Sequence, residues 1–523
     1  MGTGLTVDAC VRRACMRYGS MVALVDGSRS LTYPELEVRI SELAAEFLAL
    51  GLGPGNTVVA CMRNRLELVV AYLALQRIGA VHAPVNFRLS LSELQHCVDL
   101  VRPAAVLFDS ESVSSLGANV ELGPACRLCV DYGSREGPLQ VFGSSETPRQ
   151  RITATGAVPV APRPEDLSLV LFTSGTTGKP KGVPRSHAAE VAATLFNLAA
   201  FPWRLGERTL GVMPLYHTMG IRILLSSLFL GGTCVLQQKW SPDEALQLIE
   251  SHRISALFLV PTMYYDLLSC PDLSERAVRS VASLGFAGMI LREEIVSQLD
   301  SLFPGRVMVN VYGCSELYCL SYSDRVRVKP GTVGPGAFHQ ELRVIPESAD
   351  RGEDALTEVE VIGQIVARAD APDAFEGYWN APAATALARR DGWYFTGDLG
   401  YRDRDGDLFV VGRADDTIVT GGENVHPVEV ESALSHCPGV AEVCVVGLSD
   451  ERLGHTVSAF IVRSDPALTE ERVFDYCATA GALSSFKRPR RIVFVDEIPK
   501  SSVGKVRRHI LREAYSLTRA RSC

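Results

Sequence analysis

The twelve residues Leu171-Phe172-Thr173-Ser174-Gly175-Thr176-Thr177-Gly178-Lys179-Pro180-Lys181-Gly182 gather small residues, hydroxyls and two ammonium groups in one run. Glycines let backbone N–H groups approach phosphate oxygens, hydroxyls donate further hydrogen bonds, and Lys neutralises charge. Leu167 to Phe172 is apolar and reads as a strand that feeds this loop. It is not a Walker A loop. Only two residues separate Gly175 from Gly178, and Pro180 follows Lys179 where Ser or Thr would be required.

Other segments carry matching chemistry. Val311-Tyr312-Gly313-Cys314-Ser315-Glu316 ends an apolar strand with an aromatic ring, a hydroxyl and a carboxylate. Tyr394-Phe395-Thr396-Gly397-Asp398 offers a carboxylate whose two acceptor oxygens suit a pair of hydroxyls. Gly412-Arg413-Ala414-Asp415-Asp416 follows, then Gly421-Gly422-Glu423-Asn424-Val425-His426-Pro427. Pro499-Lys500-Ser501-Ser502-Val503-Gly504-Lys505-Val506-Arg507-Arg508 closes the series. The chain has seven lysines against 45 arginines, and Lys179, Lys181, Lys487, Lys500 and Lys505 all fall in or beside such segments. That bias suits sites where a compact, mobile ammonium is wanted.

In type and order, from residue 171 to residue 508, these segments resemble the motifs of the adenylate-forming superfamily. That superfamily holds acyl- and aryl-CoA ligases, luciferases and peptide-synthetase adenylation domains. The resemblance implies an ATP-dependent enzyme that makes an acyl-adenylate and passes the acyl group to a thiol, that of coenzyme A. It implies that Thr173, Ser174, Gly175, Thr176, Thr177 and Lys179 hold phosphate, that Gly288, Met289 and Ile290 cradle adenine, and that Tyr312 stacks on it, with Gly313 also at the nucleotide. Ser315 would contact phosphate, Glu316 with Thr173 would hold Mg²⁺, Asp398 would take the ribose hydroxyls, and Arg413 would contact ribose or phosphate. A hard cation favours such carboxylate oxygens. Asp415 matches the family's hinge, and Gly421 and Gly422 the segment lining the thiol tunnel. Phe486 and Arg488 match positions near the CoA nucleotide. Lys505 matches the lysine that stabilises charge in the adenylation transition state, an electrostatic role whose loss typically costs about 10²–10³ in rate. His217, within Tyr216-His217-Thr218-Met219-Gly220, matches the element beside the acid.

The match has gaps. Phe286-Ala287-Gly288-Met289-Ile290-Leu291 keeps one glycine of the adenine turn but is bulkier and lacks its proline. Leu453 of Glu451-Arg452-Leu453-Gly454 gives up an aromatic that some ligases stack on CoA. No carboxylate stands beside His217 to pair with a substrate α-ammonium, which argues against an amino-acid substrate. Tyr216, Thr262, Met263 and Leu317 are candidate walls of the acyl pocket, and their apolar character favours an aromatic, alicyclic or aliphatic acid. Three alternatives stay open: a ligase loading a separate carrier protein, a transfer-only enzyme taking a preformed adenylate, and a silent binding protein on the same scaffold.

Certain elements must position these residues. A chain of 523 residues exceeds one compact core. To about residue 340 apolar strands alternate with amphipathic helices, which predicts largely parallel sheets covered by helices, an α/β class. Thr32-Tyr33-Pro34-Glu35 has capping-box spacing and opens a helix toward Leu50. Strands are expected at Val58–Met62 and Val81–Val85 with a helix from Leu66 to Ile78 between them, and a helix at Glu244–His252 precedes a strand at Ile254–Val260. From about residue 357 short β segments with Asp-Gly turns form a β-rich subdomain. The expected division is a large N-terminal domain, 1–414, and a small mobile α/β domain, 415–523, with the site between them.

The composition is that of a soluble globular protein, with 47% hydrophobic and 21% charged residues. A net charge of -8 gives no reason to expect nucleic-acid binding. The uncharged stretch between Arg222 and Lys239 is broken by Gly231-Gly232 and reads as a buried helix followed by a strand, not a membrane span. Fourteen cysteines without framework spacing suggest a reducing compartment, and no secretory signal opens the chain, so a cytoplasmic location is expected. A homodimer is compatible with all of this.

Overall fold

Thr32 accepts from the Glu35 amide while Glu35 accepts in return from the Thr32 amide, so the capping box expected from the sequence starts the helix Tyr33–Ala49. The strand Thr57–Cys61 is buried at every position and pairs in parallel with Val81–Pro84 and Ala105–Phe108. An unbroken apolar run is what a parallel strand covered on both faces requires. The computed structural model describes residues 4–109, 112, 128–131, 140–142, 161–174, 180–273, 278–288, 293–352, 356–420, 423–450, 452–479, 483–501, 504 and 506–520. The chain falls into two compact units, residues 1–341 with 368–394, and residues 342–367 with 395–523.

The first unit holds two sheets. One has seven strands in the order Gln140–Phe142, Leu128–Asp131, Ala105–Phe108, Thr57–Cys61, Val81–Pro84, Leu167–Ser174, Pro180–Ser186. The other has eight, in the order Ser321–Ser323, Val307–Tyr312, Ser283–Ala287, Ala256–Leu259, Arg208–Gly211, Thr233–Leu236, Val22–Asp26, Arg29–Thr32. Both are parallel in the middle and antiparallel at the edges, as helix-for-strand alternation predicts. The expected helix after Arg222 and its following strand are Thr218–Phe229 and Thr233–Leu236. In the seven-stranded sheet Val59, Cys61, Val81, Ala83 and Val106 pack with Leu94, Cys97 and Val98 of the helix Leu91–Val101. Burial of such side chains contributes roughly 1.5–3 kcal/mol each.

The second unit contains the strand Leu342–Ile345, residues 363–367 and 395–402 of the strands Gly363–Arg368 and Trp393–Arg402, and the strand Leu408–Arg413, antiparallel where their pairing is described. Beyond Asp415 lies a separate sheet ordered Glu423–Val425, Ile418–Thr420, Gly454–Arg463, Val440–Asp450, with Arg491–Phe494 parallel to Gly454–Arg463. Packing thus groups 342–367 and 395–414 with the C-terminal sheet, whereas the sequence pattern alone draws the line at 414.

Candidate active site

The loop signalled first by the sequence springs from a hairpin. Leu167–Ser174 runs antiparallel to Pro180–Ser186, with Thr173 opposite Lys181 and Ser174 opposite Pro180. Thr173 and Lys181 are half-buried at its mouth. Gly175, Thr176, Thr177, Gly178 and Lys179 lie outside the described residues, as does the Ser174 side chain.

The strand Val307–Tyr312 delivers the second motif. Gly313 has no room for a side chain, since a Cβ there would lie 2.7 Å from the Cys319 amide nitrogen. The chain then turns, with the Cys314 amide donating to the Leu317 carbonyl at 3.1 Å. Glu316 is buried, and Tyr378 Oη donates to its Oε1 at 2.9 Å. Burial and then the Glu316 charge push the Tyr378 phenol far above its ordinary range, so it stays a donor. Leu317 is fully buried and bridges Ala374.

A strap of residues 373–379 joins hairpin and turn. The Phe375 amide donates to the Glu316 carbonyl at 2.8 Å, and the Trp379 amide to the Gly182 carbonyl at 2.8 Å. Arg185, on the hairpin's second strand, sends Nη1 to the carbonyls of Ser315 at 3.2 Å, Glu316 at 3.2 Å and Asp373 at 2.6 Å. Its Nε donates to Glu190 Oε1 at 2.9 Å, and Glu190 Oε2 also takes Arg222 of the helix Thr218–Phe229. All three side chains are shielded from solvent. The two cations hold the Glu190 carboxyl below its ordinary value although burial alone would raise it.

The element that carries Tyr216 and His217 is braced differently. Asn64, buried after the strand Thr57–Cys61, donates Nδ2 to the carbonyls of Gly211 at 3.1 Å and Met213 at 2.8 Å, and accepts from the Leu215 amide at 3.0 Å. One side chain thereby links the ends of strands from both sheets and fixes the backbone leading to Tyr216 and His217. His217 caps the helix Thr218–Phe229. The rings of Phe87, Tyr216 and His217 follow one another at 6.2 Å and 4.9 Å. Thr262 and buried Met263 begin the helix Pro261–Leu268. Gly288 follows the strand Ser283–Ala287 with φ +86, the left-handed conformation that glycine tolerates. Met289 and Ile290 lie outside the described residues.

In the second unit Asp398 and Arg413 face each other across paired strands. Arg413 Nη1 lies 3.1 Å from Asp398 Oδ1 and 2.8 Å from the Thr396 carbonyl. Gly397 is required between them, because its φ is +73 and a Cβ would sit 2.6 Å from Arg413 Nη2. Asp415 is exposed, 3.7 Å from Arg413 Nη2, in the one-turn helix Ala414–Asp416. Asp416 is fastened to the helix Arg508–Ala520 by Arg512 at 2.8 Å and Arg508 at 3.4 Å. Phe486 packs partly against the C-terminal core that includes Ile418 and Val425, and Arg488 Nε donates to the Leu483 carbonyl at 3.2 Å. Gly421, Gly422 and Lys505 lie outside the described residues. The flanks of Lys505 are defined: Lys500 bridges Val506, and the Arg507 amide donates to the Pro499 carbonyl at 2.8 Å.

Sequence reasoning assigns no role to Arg185, Glu190, Arg222 or Tyr378. Arg222 carries a signal, as the one charge in the apolar helix Thr218–Phe229. Tyr378 carries none.

Comparison with known proteins follows the same outline. The family model "AMP-binding enzyme" matches residues 11–379, and "AMP-binding enzyme C-terminal domain" matches residues 429–505. A 4-chlorobenzoate–CoA ligase from Arthrobacter sp. is 35% identical over 95% of this chain and 93% of its own length. A 3-hydroxybenzoate–CoA ligase from Aromatoleum sp. (strain CIB) is 31% identical over 94% of this chain and 93% of its own. The crystal structure of ATP-bound MatB from Rhodopseudomonas palustris superposes with a TM-score of 0.84 at 29% identity, covering 98% of this chain and 99% of that one.

Proposed function

The chain belongs to the AMP-binding enzyme family, and from that premise we propose that it is an AMP-forming acid–CoA ligase acting on an apolar, chiefly aromatic, carboxylic acid. The observation that carries this reading is the strapping of the signature hairpin to the Glu316 turn through residues 373–379. The hairpin strands that flank the proposed phosphate loop and the carboxylate proposed for its counter-cation are thereby held in one register. The ring series Phe87, Tyr216 and His217 supports an aromatic acid, as do relatives named for 4-chlorobenzoate, 3-hydroxybenzoate and indoleacetate.

In the first half-reaction a carboxylate oxygen of the acid bonds to the α-phosphorus of ATP, the bond to the β-phosphate breaks, and pyrophosphate leaves. Thr173, Ser174, Gly175, Thr176, Thr177 and Lys179 are the proposed phosphate ligands, Tyr312, Gly313 and Gly288 with Met289 and Ile290 the adenine seat, and Ser315 a further phosphate contact. Asp398 accepts from the ribose hydroxyls with Arg413 beside it. Lys505 bears on the oxygens where charge develops. In the second half-reaction the CoA thiolate attacks the acyl carbon and AMP departs, with Gly421, Gly422, Phe486 and Arg488 on the CoA side.

Magnesium, when bound, would neutralise phosphate charge and orient the nucleotide. The donor set fits it. Glu316 commits Oε1 to Tyr378, and its Oε2 has no hydrogen-bond partner among the described residues. Thr173 supplies a hydroxyl on the neighbouring hairpin. The change between half-reactions is proposed to turn on Asp415, the exposed residue directly before the anchored Asp416. Among the described residues no helix is long and apolar enough to cross a membrane, and a cytoplasmic location belongs to the same proposal.

The test is carboxylate-dependent ATP–pyrophosphate exchange over halobenzoates, hydroxybenzoates, indoleacetate and fatty acids without CoA, followed by thioester detection once CoA is added. Exchange and then thioester establish the ligase and begin to name the acid. Thioester only from a supplied acyl-adenylate would mean that the chain performs transfer alone, and thioester only on a carrier protein would replace CoA as the acceptor.

A further inference from the structure

We propose that Tyr378 is a positioning residue that sets the Glu316 carboxylate for a divalent cation on the bound nucleotide, with Lys181 holding the Tyr378 ring in place. The inference rests on the reading of Glu316 as a cation ligand and goes beyond it by naming what aims that ligand.

A carboxylate on a flexible side chain binds Mg²⁺ well only if its rotamer is fixed, because the ion demands near-ideal octahedral geometry. The main chain of Glu316 is fixed by Arg185 and by the Phe375 amide, and both of these bonds end on its carbonyl. The phenol of Tyr378 reaches the side chain itself, at 2.9 Å on Oε1. Tyr378 is fixed in turn from several sides. Its amide donates to Thr385 Oγ1 at 2.9 Å, and Gly377 beside it leaves no space, since a Cβ there would lie 2.8 Å from Thr385 Cγ2. The Phe375 ring lies 5.0 Å from the Tyr378 ring, and the Lys181 ammonium stands 5.0 Å over its face. Lys181 is opposite Thr173 in the hairpin, so the pose of the phenol is tied to the strand that carries the phosphate loop. Hydrogen-bond partners of metal-ligating carboxylates typically matter about 10–100-fold in metal affinity.

The experiment titrates Mn²⁺ by electron paramagnetic resonance into the full chain saturated with the non-cleavable analogue α,β-methylene-ATP. Tyr378→Phe, Glu316→Gln and the double variant are compared with the parent. The expected result is Mn²⁺ affinity weakened about 10–100-fold by Tyr378→Phe, with an unchanged melting midpoint and unchanged metal-free nucleotide affinity. In the Glu316→Gln background Tyr378→Phe should cause no further loss, because it acts through that carboxylate. Parental Mn²⁺ affinity in Tyr378→Phe beside weakened affinity in Glu316→Gln would overturn the positioning role and leave the Glu316 reading standing. Parental affinity in both variants would remove the premise and the inference together. Equal further loss from Tyr378→Phe in the Glu316→Gln background would overturn it as well. If Tyr378→Phe does not fold, Lys181→Met carries the test, since it leaves the phenol and removes the cation over its ring. It should weaken Mn²⁺ binding in the parent and not in the Glu316→Gln background, and equal loss in both would overturn the inference.

Discussion

Glu190 Oε1 accepts from Arg185 Nε at 2.9 Å with both side chains shielded from solvent. The pair is the centre of a larger arrangement, since Arg222 shares the carboxylate and Arg185 spends Nη1 on three carbonyls. Strand Pro180–Ser186, helix His187–Ala200, helix Thr218–Phe229 and the Glu316 turn are thereby fixed to one point. A buried ion pair adds little net stability over an apolar replacement of equal volume, but removing one partner strands the other charge. What the arrangement supplies is register between the elements that carry the candidate site residues.

Glu190→Gln is therefore expected to be costly. It leaves two guanidinium groups in the interior without the carboxylate that they share, at a penalty of about 3–5 kcal/mol. Urea denaturation of the parent and the variant measures it, and a midpoint unchanged by Glu190→Gln would show the interior to be wetter than the packing implies.

Asp373 predicts a pH dependence. Its carboxylate is fully buried and lacks a hydrogen-bond partner of ordinary geometry among the described residues, and His339 Nε2 stands 3.9 Å away. Burial pushes the carboxyl up to about 7, with Arg185 and Arg222 opposing, while burial pushes His339 down to about 4 so that it stays neutral. The unfolded chain releases this proton near 3.8 and the folded chain near 7. Stability from this group is thus full below the lower value, falls as pH rises between the two, and is lost above the upper. At about 1.4 kcal/mol per pH unit the span is at most about 4 kcal/mol. Asp373→Asn should be more stable than the parent at pH 8, with the gap closing toward pH 4. Parallel melting profiles across that range would contradict the shift.

Part of this arrangement is legible in the sequence, and the rest is hidden for physical reasons. The capping box at Thr32 and Glu35 is local, so four residues suffice to read it. Parallel strands such as Thr57–Cys61 announce themselves by continuous apolarity. Asp398 and Arg413 are proposed from their motifs to serve one ligand, and what strand pairing shows is that they stand face to face. Tyr378 meets Glu316 across 62 residues of chain, and no period or spacing encodes such a contact. Arg185 is equally silent, because its partners at Ser315, Glu316 and Asp373 are main-chain carbonyls that carry no residue identity. The sequence pattern draws a division at residue 414, while packing groups strands 342–345 and 395–402 with the second unit, a grouping set by sheet partners far apart in sequence.

Asp398 and Arg413 predict discrimination by the sugar. If the carboxylate takes the ribose hydroxyls, the parent should prefer ATP over 2′-deoxy-ATP by about 10–100-fold in kcat/KM, the range of a hydrogen bond to a charged group. Asp398→Ala should lower kcat/KM for ATP by a similar factor and nearly abolish the preference. Gly397→Ala should do likewise from one residue away, because its Cβ would fall 2.6 Å from Arg413 Nη2 and displace it, and because φ at this position is +73. A variant that slows yet keeps the full preference would move the ribose contact elsewhere.

Replacing Lys505 is expected to separate the two half-reactions. The described residues around it are held by the Lys500 to Val506 bridge and by the Gly504 amide donating to the Ser501 carbonyl at 2.9 Å with Gly504 at φ +76. Just beyond, Arg508 clasps both oxygens of Glu431 at 2.7 and 2.9 Å. These bonds are made by residues other than Lys505, so its replacement leaves them in place. Lys505→Ala should therefore lower carboxylate-dependent ATP–pyrophosphate exchange by about 10²–10³-fold. It should form thioester from a supplied acyl-adenylate and CoA at a rate within a few-fold of the parent, because no bond to phosphorus is made or broken in that step. Equal loss in both assays would mean that the lysine serves the fold or CoA binding, and the electrostatic role would have to pass to another cation, of which Lys179 and Lys181 on the signature hairpin are the first to test.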